Sequence, residues 1–148
     1  MFNEIKEISS DLEAMVYDIA VRSGIFVPIN STSFRYKKYM VIKGPDNLWH
    51  VFLLEPKKKH IATTFLKVSA FAICKAHEKN KAYSIDELKS NDAIFEKNYN
   101  ASIFYKQTYK RTKDHVTKDN ALWRYEIAHA EAKQAKRRID DIFYASIV

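Results

Sequence analysis

From residue 118 to residue 147 the chain contains neither Gly nor Pro, and small or apolar side chains recur there at alternating steps of four and three: Ala121, Tyr125, Ala128, Ala132, Ala135, Ile139, Ile142. That spacing predicts one long helix with a narrow, heptad-like seam rather than a broad apolar face. Asp119 or Asn120 supplies cap chemistry at its start. The alanines let a neighbouring backbone come close. Lys133, Lys136, Arg137 and Arg138 lie beside or opposite the seam. Asp140 and Asp141 oppose the helix dipole at the C-terminal end, so packing must hold this helix in place.

The rest of the chain is punctuated sparingly, by Gly24, Gly44, Pro28, Pro45 and Pro56. Such scarcity favours long helices joined by a few tight turns, and leaves no glycine-rich phosphate loop. Residues 3–23 read as an amphipathic, acidic helix through Ile5, Ile8, Leu12, Met15 and Ile19, ended by Gly24. Residues 25–33 read as a linker. The period then changes, and residues 39–42, 48–54 and 59–64 are expected as a three-stranded antiparallel meander, turned at Gly44-Pro45-Asp46-Asn47 and at Glu55-Pro56-Lys57-Lys58. Residues 65–80 return to helical spacing and are apolar nearly all round, which predicts burial against the sheet. Ser84-Ile85-Asp86-Glu87 is a capping box expected to start a short helix. Residues 92–116 form a longer one carrying Phe95, Tyr99, Phe104, Tyr105 and Tyr109, with 114–119 as the connection to the last helix. A short connection between long helices predicts an antiparallel hairpin.

The expected fold class is therefore α+β: an N-terminal helix, a three-stranded antiparallel meander packed on a helix, then a C-terminal antiparallel helical hairpin. Residues 1–83 form the small α-βββ-α part and 84–148 the basic hairpin, packed on it as one unit. Over residues 1–80 this order resembles, in topology alone, the double-stranded-RNA-binding domain. Gly44-Pro45 stands at a different distance from His50 than that family prefers. Lys67 alone opens the following helix, where that family carries a lysine cluster. No residue role is carried over.

A 148-residue chain with 47% hydrophobic residues can bury a real core. Its formal charge of +7 is unevenly spread, since residues 97–138 hold 11 basic and 4 acidic groups. A concentrated basic field suits nucleic acid or an acidic protein surface, although lysine-rich usage also arises from composition alone. Cys74 has no partner cysteine, so a reducing compartment is expected. No apolar run is long enough to span a membrane and no signal peptide is read at the N-terminus, which gives a cytoplasmic expectation, or host cytoplasm or virion for a viral chain.

No catalytic motif is present. His50, His60, His77, His115 and His129 fall at no metal-ligand spacing with one another or with Cys74. Asp86/Glu87 and Asp140/Asp141 are explained by capping and solvation. Neither an enzyme, a metal nor a cofactor is expected. Lys57, Lys58 and Lys59 can grip phosphates, with Arg35, Lys37 and Lys38 joining them and Tyr36, Tyr39 and Trp49 interleaved for stacking. The competing explanation is a solvated turn whose lysines guard a sheet edge. Lys106, Lys110, Arg111, Lys113, Arg124, Lys133, Lys136, Arg137 and Arg138 form a second candidate nucleic-acid contact. Ile139, Ile142, Phe143, Tyr144 and Ile147 are more apolar than a free terminus needs, and are a candidate protein interface. The expected function is a non-enzymatic, nucleic-acid-binding protein. The alternative is a structural or assembly protein, viral or phage in origin, acting through contacts of the C-terminal helix and able to form homo-oligomers.

Overall fold

The computed structural model describes residues 26–147. The helix expected over 3–23 lies outside the described residues. The order is β1 (Val27–Asn30), β2 (Ser33–Tyr36), β3 (Tyr39–Lys43), β4 (Trp49–Leu53), β5 (Lys59–Thr64), α1 (Lys67–Glu78), α2 (Ala82–Arg111) and α3 (His115–Ile147). The α+β class and the C-terminal helices agree with the sequence. The sheet does not: it has five antiparallel strands in sequential order, not three. Of the two extra strands, β1 forms within the expected linker, and β2 begins at its last residue, Ser33, and continues beyond it. Pro28 is tolerated because β1 is an edge strand, where a missing amide costs no ladder bond. Asn30 closes the β1–β2 connection by accepting from the Thr32 amide at 2.9 Å.

Register decides which side chains are hidden. Phe34 pairs with Val41, Val41 with Val51, and Val51 with Ala62. These residues, with Tyr36, Tyr39, Trp49 and Thr64, line one face and are buried. Helix α1 covers that face. Phe71, fully buried at its centre, stacks on Phe26 at 4.1 Å between centroids and meets Phe34 edge-on at 5.2 Å. Leu66 caps α1 without a side-chain bond of its own. The cap comes from α2 instead: Asp92 accepts from the Phe65 amide at 2.8 Å, the Leu66 amide at 3.0 Å and Ser69 Oγ at 2.8 Å. A carboxylate at a helix N-terminus satisfies free donors and favours the dipole.

Helices α2 and α3 form the antiparallel hairpin. The whole alanine seam from Ala121 to Ile139 is buried, and Ile142 packs against the core. Opposite it on α2 stand Leu88, Asn91, Phe95, Asn98 and Ser102, also at steps of three and four. The polar members donate to carbonyls of their own helix. Asn91 and Asn98 donate to the carbonyls of Glu87 and Ile94 at 2.9 and 2.8 Å, and Ser102 donates to that of Tyr99 at 2.6 Å. Small side chains bonded in this way and facing alanines allow close helix approach without an unpaired donor.

Two boundaries differ from expectation. Residues 82–111 are one 30-residue helix, not a short helix followed by a longer one. Ser84 therefore sits inside the first turn rather than capping it. The connection to α3 is only Thr112–Asp114 long, and Asp114 accepts from the Thr117 amide at 3.0 Å and hydroxyl at 2.6 Å. With five strands and a long hairpin, the likeness to the double-stranded-RNA-binding domain does not extend to the observed topology. Among the described residues no helix is long and apolar enough to cross a membrane.

Candidate functional site: a lysine-rich pole beside an open sheet face

The meander places the β2–β3 turn and the β4–β5 turn at the same end of the sheet. The Leu54 amide bonds the Lys38 carbonyl across them at 2.8 Å. Lys37 takes a left-handed conformation (φ 48°) to make the tight β2–β3 turn, and the Glu55–Pro56 peptide of the other turn is cis. Helix α1 ends at this same pole. Tyr39 Oη meets His77 Nδ1 at 2.7 Å, Lys75 Nζ meets Tyr36 Oη at 3.2 Å, and Lys37 pairs with Glu78 at 3.1 Å.

Lys37, Lys38, Lys57, Lys58, Lys59, Lys75 and Lys79 thus converge, and among the described residues Glu55 and Glu78 belong to the same turn and helix end. The field is felt locally: burial first, then the charges of Lys59 and Lys38, hold His77 below the usual imidazole range. Lys75 is likewise lowered, by burial and then by Lys79. Two hollows open here. One, of about 360 Å³, has Leu53, Pro56 and Lys57–Lys59 as its walls. The other, of about 230 Å³, sets Lys75, Lys79 and Lys81 around Ala72, Ala76 and Ile142. Part of this basicity has a structural use, because cations suit the C-terminal end of α1.

The hairpin residues lie elsewhere. Helix α2 starts beside the end of α1, reaches its beginning at Asp92, and runs on for roughly 28 Å beyond that point at 1.5 Å per residue. Lys106, Lys110, Arg111, Lys113 and Arg124 therefore sit toward the far end of the molecule from the Lys57–Lys59 turn. Arg124 lies over the Tyr105 ring at 6.0 Å, and Lys118 over Tyr109 at 5.0 Å, tying the two helices together. Lys133 and Arg137 are exposed on the outer face of α3. Arg138 reaches Asn91 at 3.4 Å. Lys136 is not a surface cation: its side chain is 1% exposed and bonds Asp140 at 2.8 Å. Burial pushes the Asp140 carboxyl up while Lys136 pulls it back.

The apolar end of α3 is mostly spent inside the fold. Ile139 and Phe143 are buried, Ile142 and Ile147 pack against the core, and only Tyr144, 57% exposed, faces outward. Those residues anchor the hairpin on α1 and do not form a free apolar surface. Cys74 is fully buried, and burial pushes its thiol far up, which makes it a small core residue and not a nucleophile.

Tyr36, Tyr39 and Trp49, the aromatics expected to interleave with the lysines, are on the covered face. The opposite face carries a different set. Phe52, His50 and His60 form a triangle of rings: the Phe52 centroid is 6.3 Å from that of His50 and 5.3 Å from that of His60, and the two imidazoles are 5.7 Å apart. Sequence spacing separated these histidines; the β4–β5 register, with Phe52 opposite His60 and His50 opposite Thr63, brings them together. Thr63 Oγ1 stands 2.9 Å from His60 Nε2 and 3.1 Å from His50 Nδ1, and His50 Nε2 meets Asp46 at 3.0 Å. The Leu48 amide, then His50, hold the Asp46 carboxyl below the usual range. Gly44 permits this contact, since a Cβ there would lie 2.7 Å from Asp46 Oδ1 and 2.9 Å from His50 Nε2. A consistent proton arrangement has His50 donating to Asp46, Thr63 donating to His50, and His60 donating to Thr63. This orients the rings on an open surface and encloses no reaction space. Among the described residues no group of three or more His, Cys, Asp or Glu can hold a metal ion.

No protein family, curated protein or solved structure matches the chain.

Proposed function

We propose that this protein binds nucleic acid without catalysing a reaction on it, and that the lysine pole is the principal contact. The observation that carries the reading is the convergence of the Lys37–Lys38 and Lys57–Lys59 turns with Lys75 and Lys79. A field of this sign and density attracts a phosphate backbone. The cations of the hairpin, half-buried Lys106 and exposed Lys110, Arg111, Lys113, Arg124, Lys133, Arg137 and Arg138, are a second contact. The reading carries with it a cytoplasmic setting, or the virion for a viral chain.

The test is a polarisation titration of a fluorescein-labelled oligonucleotide across salt concentrations. Replacing Lys57, Lys58 and Lys59 together by Ala should lower the magnitude of the log–log salt slope by about 2–3, since each phosphate contact contributes roughly 0.7–0.9. Absence of salt-dependent binding in the unaltered protein would remove the reading. An unchanged slope in the triple variant would move the contact to the hairpin.

A second reading, assembly through α3, has its own observation. Val116, Trp123 and Ile127 are 76%, 59% and 41% exposed along one side of that helix, away from the hairpin seam. Light scattering that returns a monomer at high concentration would dismiss it.

A further inference from the structure

The lysine pole by itself offers charge, which serves duplex and single strand alike. The open face of the sheet adds something more selective. Its middle row runs Val27, Arg35, Met40, Phe52, His60 across all five strands. Phe52 and the two imidazoles make a three-ring cluster in that row and the next. Lys58, an exposed residue of the pole, sets its amine over the Phe52 ring at 5.1 Å. The charged region and the aromatic cluster are therefore contiguous, joined at one residue pair.

We infer that Phe52, His50 and His60 form a stacking subsite for an unpaired base, with Lys58 and the rest of the pole holding the flanking phosphates; the occupant is single-stranded nucleic acid. The inference rests on the nucleic-acid reading of the pole and narrows it to strands with free bases. Three physical points favour this occupant. Base–aromatic stacking is worth about 1–3 kcal/mol per base and needs a flat, accessible π-surface beside cations. The rings are held: His50 by Asp46 and Thr63, and His60 by Thr63, so little side-chain order is lost on stacking. Lys58 meets Phe52 through a cation–π contact, and its long stem lets the amine move to a phosphate while a base takes the ring. The phosphates of a duplex can meet the pole, but its paired bases are stacked on each other and cannot lie on Phe52.

The experiment compares fluorescein-labelled oligo(dT) with a labelled duplex of equal length at one salt concentration. The proteins are the unaltered chain, Phe52→Ala, Phe52→Trp and the Lys57/Lys58/Lys59 triple-alanine variant, each checked for native circular dichroism. Phe52→Ala should weaken oligo(dT) binding about tenfold and leave duplex binding unchanged; Phe52→Trp should retain or tighten oligo(dT) binding. The ring-proton NMR signals of His50 and His60 should shift as oligo(dT) is added. Equal affinity for both forms, with no response to Phe52→Ala, overturns the stacking subsite. If the triple-lysine variant still weakens binding in that case, the pole stands without it. If neither nucleic acid binds the unaltered chain, both proposals fall. An unfolded Phe52→Ala leaves the histidine shifts to decide: stationary signals overturn the subsite.

Discussion

The two faces of the sheet are built from the same strands and both are rich in rings, yet they have opposite uses. On one, Phe34, Tyr36, Tyr39 and Trp49 are buried under α1, and Phe71 fills the centre. On the other, Phe52 clusters with two histidines beside a lysine turn. Side chains alternate at every residue of a strand, so a one-residue shift in register would exchange the two sets. Neither residue type nor a neighbouring cation tells a core aromatic from a surface one: Lys67 lies over Phe34 and Trp49, Lys75 over Tyr36, and His77 meets Tyr39, just as Lys58 and two histidines meet Phe52. Burial separates them: the covered rings lie under α1, whereas His60 is exposed and Phe52 and His50 are partly so.

Removing a phenylalanine ring from each side of the sheet, Phe71 of the covering helix and Phe52 of the open face, is the most direct way to break this contrast. Phe71→Ala should cost about 3–5 kcal/mol in a urea melt, the range for deleting a fully buried phenylalanine. Phe52→Ala removes a partly exposed ring whose surroundings can be refilled by water, and should cost about 1–2 kcal/mol. Similar losses at both sites would mean that the second face is also core, and would count against its use as a docking surface.

Next in size is the contact that holds α1 over the covered face. Asp92 supplies three acceptor bonds from a buried position. Asp92→Ala leaves two backbone amides and the Ser69 hydroxyl without that partner, and should cost about 2–3 kcal/mol. Asp92→Asn keeps one acceptor and should lose less. Hydrogen exchange at the Phe65 and Leu66 amides reads the effect where it arises: both should lose protection in Asp92→Ala ahead of the hairpin amides. Uniform loss across the chain would deny Asp92 its role as the cap of α1.

A smaller effect is expected on the open face itself. Gly44→Ala should displace either Asp46 or His50, because the new methyl would overlap both. The side chains involved are flexible and partly solvated, so the cost should be near 0.5–1 kcal/mol. The specific readout is the His50 ring-proton signal, which should move while the signals of the covered face stay in place.

Sequence reasoning read the two faces unequally for identifiable reasons. Strands 39–42, 48–54 and 59–64 carry enough alternation to be found, and β3, β4 and β5 lie there. Strands β1 and β2 are four residues each, and Pro28 with the polar run Asn30-Ser31-Thr32-Ser33 masked the alternation of Phe34 and Tyr36 with Ser33 and Arg35. In the hairpin the alanine seam was legible throughout. Its partner on α2 was not, because Asn91, Asn98 and Ser102 are polar and carry no hydrophobic signal; their donors close on the carbonyls one turn back. The Lys57–Lys59 turn was visible as a run of charge. The His50, Phe52 and His60 cluster needed the register, including the shift between Val51 and Phe52 that sets His60 opposite Phe52. Lys136 shows the limit of counting charges: on a helix with a narrow seam, one step to the side can still be inside.

The last distinction between covered and exposed side chains is in their response to pH. His77 and His129 are both held below the ordinary imidazole value, His77 by burial and then by Lys59 and Lys38, His129 by burial and then by Lys133. His129 Nε2 is buried with no hydrogen-bond partner among the described residues. For each, the unfolded chain binds a proton more readily than the folded one. Unfolding therefore takes up protons, and stability is retained above the unfolded value of about 6.5. It falls as pH drops through that value toward the folded one. Asp92 has the opposite sign at lower pH: burial raises its carboxyl above the ordinary range despite three donors, so acidification through its folded value stabilises the native state through this group. Urea melts at pH 7.5, 6.5 and 5.5 should accordingly show declining stability, and a His77→Gln/His129→Gln variant should show a shallower decline. An equal slope in that variant would show that the imidazoles at the end of α1 and along the hairpin are as free to take up protons in the folded state as in the unfolded one.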